Sequence, residues 1–291
     1  MTLKGLLNIN KPPAVTSRNA VNVVQRLVRP GKVGHAGTLD PLATGVLVVC
    51  VGPATRLIEY VQRMPKTYVG TFLLGRESDT EDVDGRVIEL VDPPRPTMQQ
   101  ISAASAKLTG EILQRPPAYS ALKVAGRRAY ELARKGKHVD LKPRPITVHR
   151  LEVKAYEYPE LVLEIECGSG TYVRSLGRDL AESLGTAAVM SALNRTAIGS
   201  FRVEGAVEPA SLTAENLPNQ LLPLLRAVEC LPKVALSPQE IARLGHGLTI
   251  PRPVSAVEAA EYAGINEAGE LCTILAPRGM NQLAPTLNFP S

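Results

Sequence analysis

The chain has 291 residues, 44% of them hydrophobic and 21% charged, which is enough for a substantial core in one or two domains. Its longest strongly apolar run, VLVVCV at 46–51, falls far short of the about 20 residues of a membrane span. The start, MTLKGLLNINKPP, lacks the sustained apolar segment of a secretory signal, so a cytoplasmic protein without membrane contact is expected. Net charge is +5, which favours a polyanionic partner, and the excess is unevenly placed. Residues 1–228 carry 29 Lys and Arg against 22 Asp and Glu, whereas 229–291 carry 4 against 6. The segment KVAGRRAYELARKGKHVDLKPRPITVHR, 123–150, alone holds nine cations against Glu131 and Asp140. Phosphate contacts are expected there, although a charge run is otherwise a solvated helix face.

In chain order, LLNI reads as a strand, and TSRNAVNVVQRLVRPG reads as a helix capped by Thr16 or Ser17. Its apolar face is Val21, Val24, Leu27 and Val28, and Pro30-Gly31 stops it. GVLVVCVG is a buried strand, ATRLIEYVQR an amphipathic helix with Leu57, Ile58 and Val61 inward, and TYVGTFLLG a further strand. The acidic loop RESDTEDVDG precedes the strand RVIELV. Thr97 and Gln100 form a capping box for a helix bearing Met98, Ile101 and Leu108. ITVHRLEVKAY and LVLEIEC flank a turn at Pro159-Glu160, and Leu161, Leu163, Ile165 and Cys167 share one face. GSGTYVRSLGRDLAESLG turns into a helix with Val173, Leu176, Leu180 and Leu184 inward.

Strands and helices alternate irregularly with hairpins, so the fold expected is α+β with a mixed, largely antiparallel central sheet and flanking helices. A proline-rich stretch, 208–234, and the change of charge place a domain boundary near 229. The remainder reads as a small β-rich module.

Metal chemistry finds no support in the spacing. DTEDVDG fails as a calcium loop, because Thr80 and Val91 stand where its first and last ligands belong. The histidines at 35, 138, 149 and 246 and the cysteines at 50, 167, 230 and 272 are too scattered for a zinc site. Neither G-x-x-x-x-G-K-[ST] nor a strand-linked G-x-G-x-x-G occurs, so no metal and no cofactor is expected.

GHAGTLDPLATG, 34–45, places Asp40 between glycine-flanked turns. Asp-Pro commonly starts a helix, with Asp as the cap; alternatively the glycines open the backbone so that His35 and Asp40 face a ligand. Local chemistry leaves both readings open.

Taken together, NKP, GHAGTLDPLATG, KTYVGTFLLG, RPPAYSALKVAGRRAYELARKG and GSGTYVRSLGRDL resemble the TruB-type tRNA pseudouridine synthases over about residues 4–205. The resemblance implies a pseudouridine synthase fold at 1–228 with an RNA-gripping insertion at about 115–145, whose GRRAYELARKG is helical. A PUA-like module follows at 229–291. It implies isomerisation of uridine at position 55 of the tRNA TΨC arm, by base flipping and an aspartate nucleophile, in a monomer with no protein partner. Asp40 becomes the nucleophile, with Arg174 and Asp82 ordering it and Tyr68 stacking on the base and moving a proton. Tyr172 and Leu193 contact the flipped nucleotide, although Leu193 would otherwise pack on a helix. His35 fills the space that the base leaves. Lys11, Lys123, Arg127, Arg128, Lys135 and Lys137 are the expected phosphate contacts. Two rival readings are a protein that only binds or folds tRNA, and an aspartate-dependent nucleoside or glycoside hydrolase, which would usually need a second carboxylate.

Overall fold

The computed structural model describes residues 3–120, 122–124, 127–128 and 141–289. The first strand, β1 (Gly5–Lys11), is followed by helix α1 (Ser17–Leu27), capped by the Thr16 side chain, which accepts from Asn19 N–H. Strands β2 (Val33–His35) and β3 (Thr44–Val51) follow, then helix α2 (Ile58–Arg63) and strand β4 (Lys66–Leu74). The acidic loop is bracketed by β5 (Arg76–Ser78) and β6 (Val87–Glu89), which pair as a hairpin. Helix α3 (Met98–Lys107) has the expected capping box and leads to β7 (Gly110–Gln114). Two short strands, β8 (Lys123–Val124) and β9 (Arg127–Arg128), pair with each other. The long strands β10 (Arg144–Glu157) and β11 (Glu160–Cys167) precede helix α4 (Val173–Ser183), strand β12 (Ala188–Ile198) and strand β13 (Phe201–Arg202).

These strands form one sheet in the order β1-β3-β12-β4-β11-β10-β7, with β2 beside β3 and β13 beside β12. Only the β3–β12 pairing is parallel within it among the described residues. The mixed, largely antiparallel sheet expected from the sequence is therefore present. A second sheet, nearer the C-terminus, comprises β14 (Lys233–Ala235), β15 (Ile250–Pro251), β16 (Tyr262–Ile265), β17 (Leu271–Pro277) and β18 (Gln282–Asn288) in the order β14-β16-β17-β18-β15.

The unbroken apolar run of β3 has a direct cause. Leu47, Val49 and Val51 pack with Ala20, Val21 and Val24 of α1. The alternate residues Val46, Val48 and Cys50 join a different core with Leu57, Val61, Ala263, Ile274 and Phe289. Both faces are covered, and each fully buried aliphatic side chain contributes ~1.5–3 kcal/mol. On β11 only one face is apolar, and Glu164 of the other face pairs with Arg150 and Lys154 of β10.

Three sequence expectations are corrected. ATRLIEYVQR is not one α-helix: Gly52–Leu57 winds as a 3-10 helix, begun by Gly52 at φ +62° and Pro53, before α2 takes over. Arg127–Arg128 of the expected helix GRRAYELARKG is strand, because it pairs with Lys123–Val124; the rest of that segment lies outside the described residues. Leu193 packs from a central strand rather than from a helix, opposite Gly70 of β4.

Candidate active site

Asp40 lies in a loop that reverses between β2 and β3. Ala43 N–H donates to the Asp40 carbonyl at 3.1 Å, so the Asp-Pro pair makes a tight turn instead of starting a helix. The carbonyl closes the turn, leaving the carboxylate free for other partners. Its neighbours are held one by one. Arg195, buried on β12, donates to Gly37 O at 3.1 Å, Thr38 O at 3.5 Å and Val46 O at 2.7 Å. Ser17 exchanges hydrogen bonds with Leu39 N and O, and Lys11 Nζ donates to Pro41 O. Gly45, at φ +99°, lets the chain pass Arg195, since a Cβ there would sit 2.3 Å from Arg195 O. The carboxylate is thus presented by a loop with little freedom, a requirement for a preorganised site.

Arg174 arrives from the first turn of α4. That helix lies close against β4 because Gly177 has no side chain; a Cβ there would meet the Phe72 ring at 2.1 Å. Arg174 Nε is 3.1 Å from Asp40 Oδ2 and its Nη1 is 3.4 Å from Asp82 Oδ2. Nη1 also donates to Thr80 O and Nη2 to Tyr119 O. The arginine side chain is 7% exposed, Asp82 is 6% exposed and Asp40 is 37% exposed, so Asp40 is the most open of the three. Burial pushes the Asp40 carboxyl above its ordinary range, Asp82 and Asp84 push the same way, and Arg174 opposes them. Asp82 is itself fixed by Thr80 Oγ1 at 2.5 Å and Asp84 N–H at 3.1 Å, both donating to Oδ1.

The open side of Asp40 is a cavity of about 320 Å³, within the ~300–1,000 Å³ of small-ligand clefts. Tyr68, Tyr172, Arg174 and Leu193 line it together with Asp40, and so do Lys66, Arg144 and Arg195. Tyr68 is on β4, and burial pushes its phenol above the ordinary value, keeping it protonated at neutral pH. Tyr172 precedes α4, where its N–H and C=O are both held by the side chain of Gln114. The Arg144 guanidinium lies 5.1 Å from the centre of the Tyr172 ring and donates to Gly170 O. Burial brings the Lys66 ammonium down to about 8, helped by Arg195.

Five of the expected residues thus meet at one cavity, with Asp82 directly behind Arg174. His35 is on β2 outside the cavity lining, where burial pushes its imidazole below the ordinary value. Lys11 does not reach a phosphate-binding surface. It is fully buried, its ammonium donates to Pro12 O, Val15 O and Pro41 O, and burial lowers it to about 8. Lys123, Arg127 and Arg128 lie on β8 and β9, and Lys135 and Lys137 fall outside the described residues. Sequence reasoning singled out none of Arg195, Lys66 and Arg144: Lys66 stood only within KTYVGTFLLG and Arg144 only within the cationic segment, and Arg195, whose acceptors come from distant segments, had no signal. Nor did it single out Glu81, whose carboxylate accepts from Ser175 Oγ at 2.7 Å and pairs with Arg178.

The family model described as TruB family pseudouridylate synthase (N terminal domain) matches residues 25–173. The chain is 42% identical to a tRNA pseudouridine synthase B of Dehalococcoides mccartyi (strain ATCC BAA-2100) over 252 residues, covering 85% of this chain and 84% of that protein. It is 41% identical to the one of Bradyrhizobium diazoefficiens over 296 residues, covering 98% and 85%. Among solved structures it is similar to a chain of a Cbf5-Nop10-Gar1 complex, with a TM-score of 0.75, 25% identity and coverage of 98% of this chain and 84% of that one. With these relatives and this site, the chain belongs to the TruB family and is a pseudouridine synthase.

Proposed function

We propose that this enzyme isomerises uridine to pseudouridine at position 55 in the TΨC arm of tRNA, with Asp40 as nucleophile. The observation that carries the reading is the Asp40–Arg174 pair on the wall of a cavity shared with Tyr68, Tyr172 and Leu193. The relatives' name, tRNA pseudouridine synthase B, supports tRNA as the substrate class.

The reaction breaks N1–C1′, forms C5–C1′, removes the C5 proton and returns a proton to N1. Nothing leaves, so the base has to be kept and turned in place. Attack on the sugar, attack on the base and removal of a ribose proton all begin from ionised Asp40. Arg174 supports that ionisation against burial. Unstacking the uridine costs a few kcal/mol, and stacking on an aromatic ring returns ~1–3 kcal/mol per base. Tyr68 and Tyr172 serve that purpose, and His35 occupies the space left in the RNA. Lys123, Arg127, Arg128, Lys135 and Lys137 grip the phosphates. Residues 1–228 act as the catalytic domain, and the module at 229–291, with its four cations and six anions, adds little electrostatic affinity.

The test is incubation with an unmodified tRNA transcript, without metal or nucleotide, followed by mapping of pseudouridine for wild type and Asp40→Asn. Conversion at position 55 by wild type alone is the expected result. Binding without conversion would make the chain a tRNA-binding protein, and free uracil would make it a hydrolase. Equal conversion by the variant would remove Asp40 from the mechanism.

A further inference from the structure

We propose that Glu81 and Arg178 form a positioning pair that sets Arg174 against Asp40, although neither touches the cavity. Three side chains of α4 grip three consecutive residues of the acidic loop. Arg174 takes Thr80 O at 2.6 Å and Asp82 at 3.4 Å. Between them Glu81 turns the other way, accepting from Ser175 Oγ and pairing with Arg178. This alternation depends on Glu81 sitting at φ +63°, a left-handed conformation that non-glycine residues adopt only where their surroundings enforce it. The backbone is locked from the far side by β12, since Met190 N–H donates to Glu81 O and Val83 N–H donates to Met190 O, both at 3.0 Å.

The same two arginines hold a second segment. Arg178 Nη2 donates to Arg115 O at 2.8 Å and Arg174 Nη2 donates to Tyr119 O at 3.1 Å. One helical turn therefore fixes both the acidic loop and the stretch 115–119, which runs directly into the cationic segment that begins at Lys123. Arg178 is bound on its other side by Asp179 at 2.7 Å. The side chains of Glu81 and Arg178 are 13% and 12% exposed. A buried ion pair of this kind is a weak source of net stability. Its effect is geometric: β12 holds the loop backbone, so neutralising Glu81 loosens α4 against that loop, and Arg174 shifts relative to both of its acceptors there. Asp40 then loses the orientation of its only ion-pair partner among the described residues.

The inference rests on the uridine isomerisation proposed above, and its experiment separates the two. Glu81→Gln, Arg178→Lys and the double variant are compared with wild type on unmodified tRNA. The single-turnover rate constant is read with enzyme in excess, so that a reduced folded fraction does not enter. Each single variant is expected to slow this constant about tenfold or more, the cost of a small misplacement at a reacting centre. The tRNA Kd stays within about twofold of wild type, because neither residue lines the cavity or belongs to the cationic segment and Lys keeps the charge at 178, and the double variant is no slower than the slower single, as residues acting as one unit require. Should Arg178→Lys fail to fold, Glu81→Asp replaces it, and a rate above that of Glu81→Gln is expected from the retained charge. Wild-type rate constants in the single variants, or effects that multiply in the double, would overturn the inference. No pseudouridine from wild type would overturn the functional reading instead.

Discussion

Arg174 Nε stands 3.1 Å from Asp40 Oδ2, and the same guanidinium reaches Asp82 Oδ2 at 3.4 Å. One buried cation thus serves a carboxylate that faces the cavity and another that does not. On the function proposed above, Arg174 therefore bears on activity and on stability at once.

Replacing Arg174 with Met separates these contributions. Asp82, buried beneath the site, loses its cationic partner, and removing one member of a buried pair costs about 3 kcal/mol or more. Urea unfolding is expected to show that loss, while pseudouridine formation falls below detection. A variant that unfolds at the wild-type midpoint would show that Asp82 is satisfied by Thr80 and Asp84 alone.

Asp40→Asn is expected to abolish activity and raise the unfolding midpoint at neutral pH. The sign follows from the direction of the shift: burial raises the folded-state pKa of Asp40 above its unfolded value. Its stabilising contribution is then complete below the unfolded pKa and is lost as pH rises through the folded one. At pH 7 the ionised carboxylate costs stability that the neutral amide avoids. The advantage of the variant should shrink as pH falls towards the ordinary aspartate range. In the wild type, activity should fall with acid at a higher pH than an exposed aspartate would give, as a pH–rate profile can show.

How much of this was legible in the sequence depended on whether a residue's partners were local. The period of α4 and the alternation of β11 are local, and both were readable. The strand AVMSALNRTAI that carries Leu193 is not legible as one, because its pairing with β4 shifts register between Met190 and Ala192 and again between Arg195 and Ala197, which breaks the alternation. β7 was missed because GEILQ is a short edge strand with a largely exposed pattern. Arg195 looks like any surface cation until Gly37, Thr38 and Val46 supply its acceptors from about 150 residues away. The grouping of Asp40, Asp82 and Arg174 was accessible only through family resemblance, since two loops and the first turn of α4, far apart in the chain, bring them together.

The cationic segment carries its own expectation. Neutralising Arg127, Arg128, Lys135 and Lys137 together should weaken tRNA binding and lower the slope of log K against log salt by up to about 3.6, at roughly 0.9 per phosphate contact on a duplex. The single-turnover rate at saturating enzyme should change far less. An unchanged affinity and slope would show that the segment does not meet the RNA.

Lys11 provides the opposite case, a cation whose removal should leave RNA electrostatics alone. Its ammonium sits under the Asp40 turn and donates to Pro12 O at 2.8 Å, Val15 O at 2.6 Å and Pro41 O at 3.2 Å. Lys11→Met keeps most of the stem volume but leaves these carbonyls without that donor, at a cost of about 2 kcal/mol or more. Because Pro41 follows Asp40, the proposed nucleophile, slower catalysis should accompany the loss of stability, with the salt dependence of tRNA binding unchanged. The wild type adds a pH signature. Burial depresses the folded-state pKa of Lys11 to about 8, below its unfolded value of 10.5. Its contribution to stability is therefore full above the unfolded pKa and declines as pH falls through about 8. Between those limits the unfolding free energy of wild type should rise with pH relative to Lys11→Met. A flat difference across that window, or a salt slope reduced by one phosphate, would return Lys11 to the RNA-binding surface.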